Sequence, residues 1–356
     1  MDNILIIHPG PLGQHTGTLF YCKFLKNNFL VNYVGIDEGF GYVVLDDIEA
    51  THLKPTKNTL IRKIKYFKLA IKIIKQKKYK FILVNYFPLC SLLLFFNRSL
   101  VVEIRSSYIF KSKLRRLIYN FVLTNEVKLF KNITTLTKSL SEYLKLPKRT
   151  KIIPLGGPLI NKRKINFQNL NFLYVGTFKQ RNIHLTIEAF SIFLHSLNIK
   201  KNALGIEIQY HIVGFGDPSD IEKIKQYIDI FDLSKYVIFH AEVRYPDLEI
   251  IFNNCNIGIS YVPMFDFFQR QPVTKTCEYL LNGMPVIATR LNEHLQLINS
   301  ENGILINDNI TDLTKGFTFI FENRLNFSSE RIQIKANTLS WNFIINQILI
   351  PYINDI

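Results

Sequence analysis

Lys275 and Glu278 stand three residues apart in QPVTKTCEYLLNGMPVIAT (271–289), a spacing that puts both side chains on one face near the start of a helix. Gly283 can end that helix, and Pro285 opens the next strand. The pair can be an internal salt bridge. It can also divide its work, Lys275 facing a phosphate and Glu278 accepting two hydrogen bonds from the vicinal hydroxyls of a sugar. A second cluster lies in VGTFKQRNIHLTIEAF (175–190), where Gly176 lets the backbone turn closely and Lys179 and Arg181 place charge ahead of a helix. The planar fork of an arginine can donate two hydrogen bonds to a diphosphate. A third, GPLGQHTGT (10–18), carries Gly10, Gly13 and Gly17 before a helix that begins near Thr18. Its amides can face an anion, or the glycines simply make a tight turn. His15 within it is either a ligand contact or a polar loop residue. The fourth, IQYHIVG (208–214), runs into FGDPSDIEKI, with Gly214 and Gly216 at the turn and Ser219 or Asp220 as a helix cap that needs no ligand.

Short apolar runs must position these loops. ILIIH (4–8), FILVN (81–85) and LVVEI (100–104) read as strands buried on both faces, and NFLYVG (171–176), IQYHIVG, YVIFH (236–240), IGISYV (257–262) and PVIAT (285–289) repeat the pattern. Strands alternating with helical segments indicate α/β, doubly wound domains, whose ligands sit beyond the carboxyl ends of the strands. The segment 146–168 holds three prolines, two adjacent glycines and a charge cluster, which places a domain boundary near residue 160. Phosphate-loop, zinc-protease, nucleophile-elbow and D-x-D motifs are missing from the sequence, which weakens any scheme built on a carboxylate-held metal.

At 356 residues with 47% hydrophobic content, the chain is long enough for two cored domains. Its formal charge of +16 is one-sided: residues 1–150 hold 25 Lys/Arg against 9 Asp/Glu, and residues 151–356 hold 19 of each. The excess makes nucleic acid, acidic lipid or a phosphorylated substrate candidate partners of the first half; biased base composition is the plainer source of it, but does not by itself explain a balanced second half. Between 58 and 80, Leu60, Ile64, Phe67, Ile71 and Ile74 fall on one helical stripe, with Arg62, Lys65, Lys68 and Lys72 toward the other side and no acid between. Such a helix either lies on an anionic membrane surface or packs its stripe on the sheet with its lysines solvated. KSKLRR (111–116) adds a second basic cluster and favours the membrane surface. A nucleic-acid partner is not expected, since the first half lacks the glycine-aromatic pattern of an RNA-binding sheet. Cys22, Cys90, Cys255 and Cys277 are far apart, as suits reduced thiols in a cytoplasmic protein, and MDNILIIHPG reads as a buried strand instead of a signal peptide.

Taken in order, VGTFKQRNIHLTIEAF, IVGFGD, VIFHAEV with CNIGISYVP, KTCEYLLNGMPVIAT and ENGILI resemble the nucleotide-sugar half of the GT-B glycosyltransferases. Over about residues 130–345 the chain is similar to glycosyltransferase family 4, the retaining enzymes of bacterial polysaccharide assembly, such as that of lipopolysaccharide or capsule. The resemblance implies two Rossmann-like domains facing a central cleft: an acceptor-side domain over 1–160, completed by a C-terminal helix (339–356) containing Trp341, and a donor domain over 161–338. It assigns Arg181 and Lys275 to the donor diphosphate, Glu278 to the ribose and His240 to Arg244, including Val243, to the edge of the base. Gly176 and Gly214 line the donor loops, and Gly13 to Gly17 with His15 close over the diphosphate. Glu103 and Arg105 in VVEIRSSY (101–108), just after a strand, are acceptor-side residues on this view, or an intramolecular pair. Two departures stand out. Arg270 occupies the place of the family's first glutamate, eight before Glu278, so that Gln269 or Gln271 would supply the missing hydrogen bonds. Pro158 replaces the acid of the usual Gly-x-Asp.

The implied reaction moves a sugar from a nucleotide diphosphate sugar to a lipid-linked or polysaccharide acceptor. Arg181, Lys275 and loop amides take up the charge on the departing diphosphate without a metal or other cofactor. Retention means that the acceptor hydroxyl attacks from the face the diphosphate leaves. The alternative is a catalytically silent, sugar-nucleotide-binding subunit of a glycan assembly complex. The expected place is the cytoplasmic face of a membrane, and the oligomeric state is left open.

Overall fold

The computed structural model describes the chain apart from residues 38, 40, 55, 161–164, 244–246, 271 and 272, and for 198–204 it describes the backbone alone. The chain divides into two compact units, Met1–Gly156 with Trp341–Ile356, and Gly157–Ser340. The first holds seven parallel strands: β1 (Asn3–Ile7), β2 (Leu30–Ile36), β3 (Ile48–Leu53), β4 (Phe81–Asn85), β5 (Leu100–Ile104), β6 (Asn132–Thr135) and β7 (Lys151–Ile152). Their order is β3-β2-β1-β4-β5-β6-β7. β1, β4 and β5 are the near-continuous apolar runs that a sheet covered on both faces requires. Helices α1 (Thr16–Leu25), α2 (Thr59–Gln76), α3 (Lys113–Val127) and α4 (Lys138–Tyr143), with a 3-10 helix over Cys90–Phe95, link them. The chain returns to this unit at Trp341, 1% exposed, whose indole stacks on Phe20 at 5.8 Å and meets Tyr21 edge-on at 5.7 Å. No side chain fits at Gly156, where a Cβ would stand 2.8 Å from that indole.

α2 is rotated relative to the stripe read from its sequence. Tyr66, Ala70 and Ile74 are its buried residues, while Leu60 is 67% and Ile64 49% exposed. Small Ala70 lets the helix approach, and the Tyr66 hydroxyl reaches the Val34 carbonyl at 3.5 Å, so the aromatic ring is buried at little polar cost. The helix packs on the sheet with one face and leaves apolar side chains of its first turns in solvent.

The second unit holds six parallel strands, β8 (Leu170–Thr177), β9 (Ile208–Phe215), β10 (Val237–His240), β11 (Ile257–Ser260), β12 (Val286–Thr289) and β13 (Gly303–Ile306), in the order β10-β9-β8-β11-β12-β13. Around them run α5 (His184–Leu204), α6 (Pro218–Ile230), α7 (Asp247–Asn254), α8 (Thr274–Leu281), α9 (Asn292–Leu297), α10 (Ile310–Asn323) and α11 (Ser329–Ala336). Phe172, Phe190, Phe193 and Phe317 interlock at the centre of its core, with ring centroids 5.0 to 6.4 Å apart. Among the described residues no helix is long and apolar enough to cross a membrane.

Candidate functional site

In the second unit the residues of interest gather at the carboxyl edge of the sheet. β8 and β9 run in register with Gly176 opposite Gly214, and a Cβ on Gly214 would fall 1.8 Å from the Gly176 carbonyl oxygen. Close strand packing therefore accounts for glycine at Gly214. Beyond β8 the chain passes through two left-handed residues, Gln180 (φ 57°) and Asn182 (φ 52°), on either side of Arg181. The Arg181 guanidinium lies 4.0 Å from the centroid of Phe268, a ring that is 1% exposed. Burial lowers the Arg181 pKa against the opposing pull of Tyr174, and Arg181 has no carboxylate partner among the described residues. Its neighbour Lys179 is committed to Asp217 at 3.3 Å. Asp217, not Ser219 or Asp220, is the N-cap of α6, because Pro218 takes the first helical position.

α8 carries the other pair. Lys275 Nζ donates to Glu278 Oε2 at 2.6 Å, while Glu278 is fully buried and its Oε1 has no partner. The salt bridge thus uses one carboxylate oxygen and leaves the other. α8 is pinned to β8 by the Val175 amide, which donates to the Tyr279 hydroxyl at 3.0 Å. Gly157 packs on the α8 backbone, where a Cβ would stand 3.1 Å from the Glu278 nitrogen. At Pro158, where the resemblance led to an acid, the carbonyl accepts from Asn282 Nδ2 at 3.2 Å, and Asn282 Oδ1 accepts from the Ile160 amide.

Other expected residues have partners of their own. Arg270 pairs with Asp266 at 3.7 Å, and Gln269 donates to the Met264 carbonyl of its own loop. Gln271 and Arg244 lie outside the described residues. Val243 packs against the unit's hydrophobic core, and His240 Nε2 meets His211 Nδ1 at 3.1 Å, one ring supplying the proton. A residue the sequence reading passed over, His294, is wholly buried. Its Nδ1 bonds the Thr289 carbonyl at 2.6 Å, and its Nε2 meets Thr276 Oγ1 at 2.9 Å and Ser260 Oγ at 3.0 Å. One imidazole joins the ends of β11 and β12 to the first turns of α8, and burial holds it neutral, with a pKa of about 4.

In the first unit, the α1 helix begins at Thr16, two residues before the expected start, with exposed His15 at its N-cap. Gly13 takes φ 101°, a conformation that favours glycine, and a Cβ there would meet Val43 at 2.4 Å. A Cβ on Gly17 would approach Arg105 Nη1 to 3.0 Å, so the guanidinium rests against the start of α1. Glu103 lies inside β5, not after it, and is 1% exposed. Its Oε1 accepts from the Tyr21 hydroxyl at 3.0 Å and its Oε2 from Arg105 Nε at 2.6 Å, while Arg105 Nη2 has no partner. Across the sheet Asn85 pairs in register with Glu103, and both polar atoms of its buried side chain are unpartnered. His8, just beyond β1, accepts from the Gly10 amide at 3.0 Å, and its ring is 4.7 Å from that of His15. Burial, then His15 and Arg105, push its pKa well down. Asn85 and Tyr21 give no spacing signal in the sequence; the β4–β5 register brings Asn85 beside Glu103, and the packing of α1 brings Tyr21 there.

Residues 169–323 match the family described as Glycosyl transferases group 1. No curated protein matches the chain in sequence. Among solved structures, it is similar to sucrose-phosphate synthase from Thermosynechococcus elongatus (TM-score 0.73, 17% identity, covering 99% of this chain and 98% of that one). A glycosyltransferase from Rickettsia africae gives the same score and identity over 99% and 97% of the two chains. Anabaena HepE, solved with UDP and glucose, is similar at TM-score 0.73 and 15% identity over 99% of each. The protein therefore has the GT-B fold, and its second unit carries a glycosyl transferases group 1 domain.

Proposed function

We propose that the chain transfers a sugar from a nucleotide diphosphate sugar to a lipid-linked or polysaccharide acceptor. Arg181 is the observation that carries the reading: a guanidinium set on Phe268 beyond a strand end, without a carboxylate partner among the described residues. A partly desolvated cation left unneutralised favours an incoming anion, and a diphosphate matches its fork. As the glycosidic bond breaks, negative charge grows on the diphosphate. On this reading Arg181, Lys275 and the amides after β8 take up that charge without a metal ion. Glu278 Oε1 is the acceptor for a ribose hydroxyl, with Oε2 holding Lys275 in position. Glu103 and Arg105 serve the acceptor, the Gly13–Gly17 loop with His15 a further anion contact, and the sugar is transferred with retention at the cytoplasmic face of a membrane. The cationic segments 58–80 and 111–116 hold it there. UDP is the first nucleotide to try, since HepE is a structural neighbour solved with it.

UDP, GDP, ADP and CDP are each tested for a rise in melting temperature. At least one raises it, and Glu278→Ala and Arg181→Ala each remove the rise; no shift with any of the four sinks the donor site. The Arg270–Asp266 pair, at the place of the family's first glutamate, favours the second reading, a sugar-nucleotide-binding subunit without turnover. Nucleoside diphosphate release on adding acceptor, abolished by Lys275→Ala, decides for the enzyme.

A further inference from the structure

We infer that the first unit docks on a lipid bilayer by inserting an apolar plateau, formed by α3 and the 3-10 helix at Cys90–Phe95, into the acyl layer. The inference extends the membrane contact proposed above and does not depend on donor chemistry.

α3 is amphipathic in the reverse sense from a helix on a soluble core. The side it turns inward bears Arg116 and Asn120 together with Leu123 and Val127. Arg116 Nη1 donates to the Phe110 carbonyl at 2.7 Å, and Asn120 Oδ1 accepts from the Tyr108 amide at 2.9 Å. On the opposite side Leu114, Ile118 and Phe121 are 68%, 52% and 70% exposed. At about 100° per residue, Ile118 stands roughly 160° around the axis from both Arg116 and Asn120, and Leu114 and Phe121 stand roughly 100 to 160° from them. The adjoining 3-10 helix adds Phe95, 83% exposed, and Leu89 before it, 65% exposed. The two elements are fastened together, since Glu126 of α3 accepts from the Ser91 amide and the Tyr86 hydroxyl, each at 3.0 Å. α2 joins the same layer through Lys75, whose ammonium lies 4.8 Å from the Phe96 ring. An apolar surface spread over adjoining elements marks a binding face.

Charge selects the occupant. From residue 50 to 125 there are seventeen Lys and Arg and a single acid, the buried Glu103. A second copy meeting this face across a two-fold axis would bring like charge against like charge. An anionic bilayer offers head groups to the cations and acyl chains to the plateau. Tyr108, Phe110 and Tyr119 cluster by the start of α3 with ring centroids 5.0 to 5.6 Å apart, the kind of amphipathic aromatic group that lodges at head-group depth.

Flotation of the full chain with phosphatidylcholine vesicles, with and without phosphatidylglycerol, tests the inference at low salt and at roughly 0.5 M salt, where exposed charges are screened within a few ångströms. Binding to the anionic vesicles persists in part at high salt. Phe95→Asp with Phe121→Asp reduces that salt-resistant part by about tenfold or more, from the apolar transfer energy of the two rings. Lys113→Gln with Arg115→Gln weakens only the low-salt binding. The melting-temperature rise with nucleoside diphosphate stays unchanged in each variant, which separates a failure here from a failure of the donor site. Depth is read independently: Phe121→Trp emission shifts to the blue and is quenched by brominated acyl chains, against the buried Trp341 as background. Binding abolished by salt, an unchanged Phe95/Phe121 variant, or absent quenching overturns insertion. A dimer in solution that Phe121→Asp dissociates overturns it by giving the plateau to a second copy.

Discussion

Arg181 and Phe268 form the most informative contact in the second unit, because the ring fixes the guanidinium without neutralising it. Phe268→Leu keeps an apolar neighbour and removes the π face. It is expected to weaken nucleoside diphosphate binding several-fold, in line with roughly 1 kcal/mol for a partly desolvated cation–π contact, and to lower the melting temperature of the free protein modestly, as a smaller side chain at a buried site does. Equal binding by calorimetry would show that the ring plays no part. His294 makes a different demand. Its folded pKa of about 4 lies below the ordinary 6.5, so the unfolded chain takes up the proton first. Stability from this group is complete above about pH 6.5 and is lost as the pH falls toward 4, about 2 kcal/mol of it by pH 5. His294→Gln should flatten the fall in urea midpoint between pH 7 and pH 5; an unaltered slope removes the imidazole from the account. Lys275 and Glu278 were legible in the sequence because helical spacing alone makes them neighbours. His294 was not, because its partners Ser260 and Thr276 lie 34 and 18 residues away and meet it only once the strands are aligned.

Elements were readable where burial made them uniform. β1, β4, β5 and the strands β8 to β12 show as apolar runs, whereas β3, IEATHL, pairs with β2 alone at the sheet edge and mixes polar with apolar residues. β6, NITT, is equally silent, since Thr134 and Thr135 are buried by donating their hydroxyls to the Val102 and Ile104 carbonyls. α2 illustrates a subtler loss. Its periodicity is real, but which face packs is decided by Tyr66 and Ala70, not by the strongest apolar stripe. Ala70→Leu is therefore expected to destabilise the first unit by about 1 to 3 kcal/mol through overpacking, although leucine is the better match to a sequence stripe. A melting temperature at or above that of the unmodified protein would contradict the packing.

At the level of the whole chain, one unit is continuous and the other is not. Residues 157–340 supply all of the second unit, while the first is closed by Trp341 and the helix it begins. Trp341→Ala removes a fully packed indole and should cost about 3 to 5 kcal/mol in the first unit. Protection from hydrogen exchange then falls in β1 and α1 and is retained in β8 and β9; a uniform fall would mean that the two units unfold as one.

During synthesis, this interrupted connectivity sets a timetable. The first unit's sheet and its outward apolar helix emerge early, but the indole that completes its core follows the entire second unit. A nascent chain thus carries an unfinished first unit for the time needed to make 184 residues, Gly157 to Ser340. On a ribosome near a membrane, the lipid surface inferred for α3 would be reachable before the fold is closed.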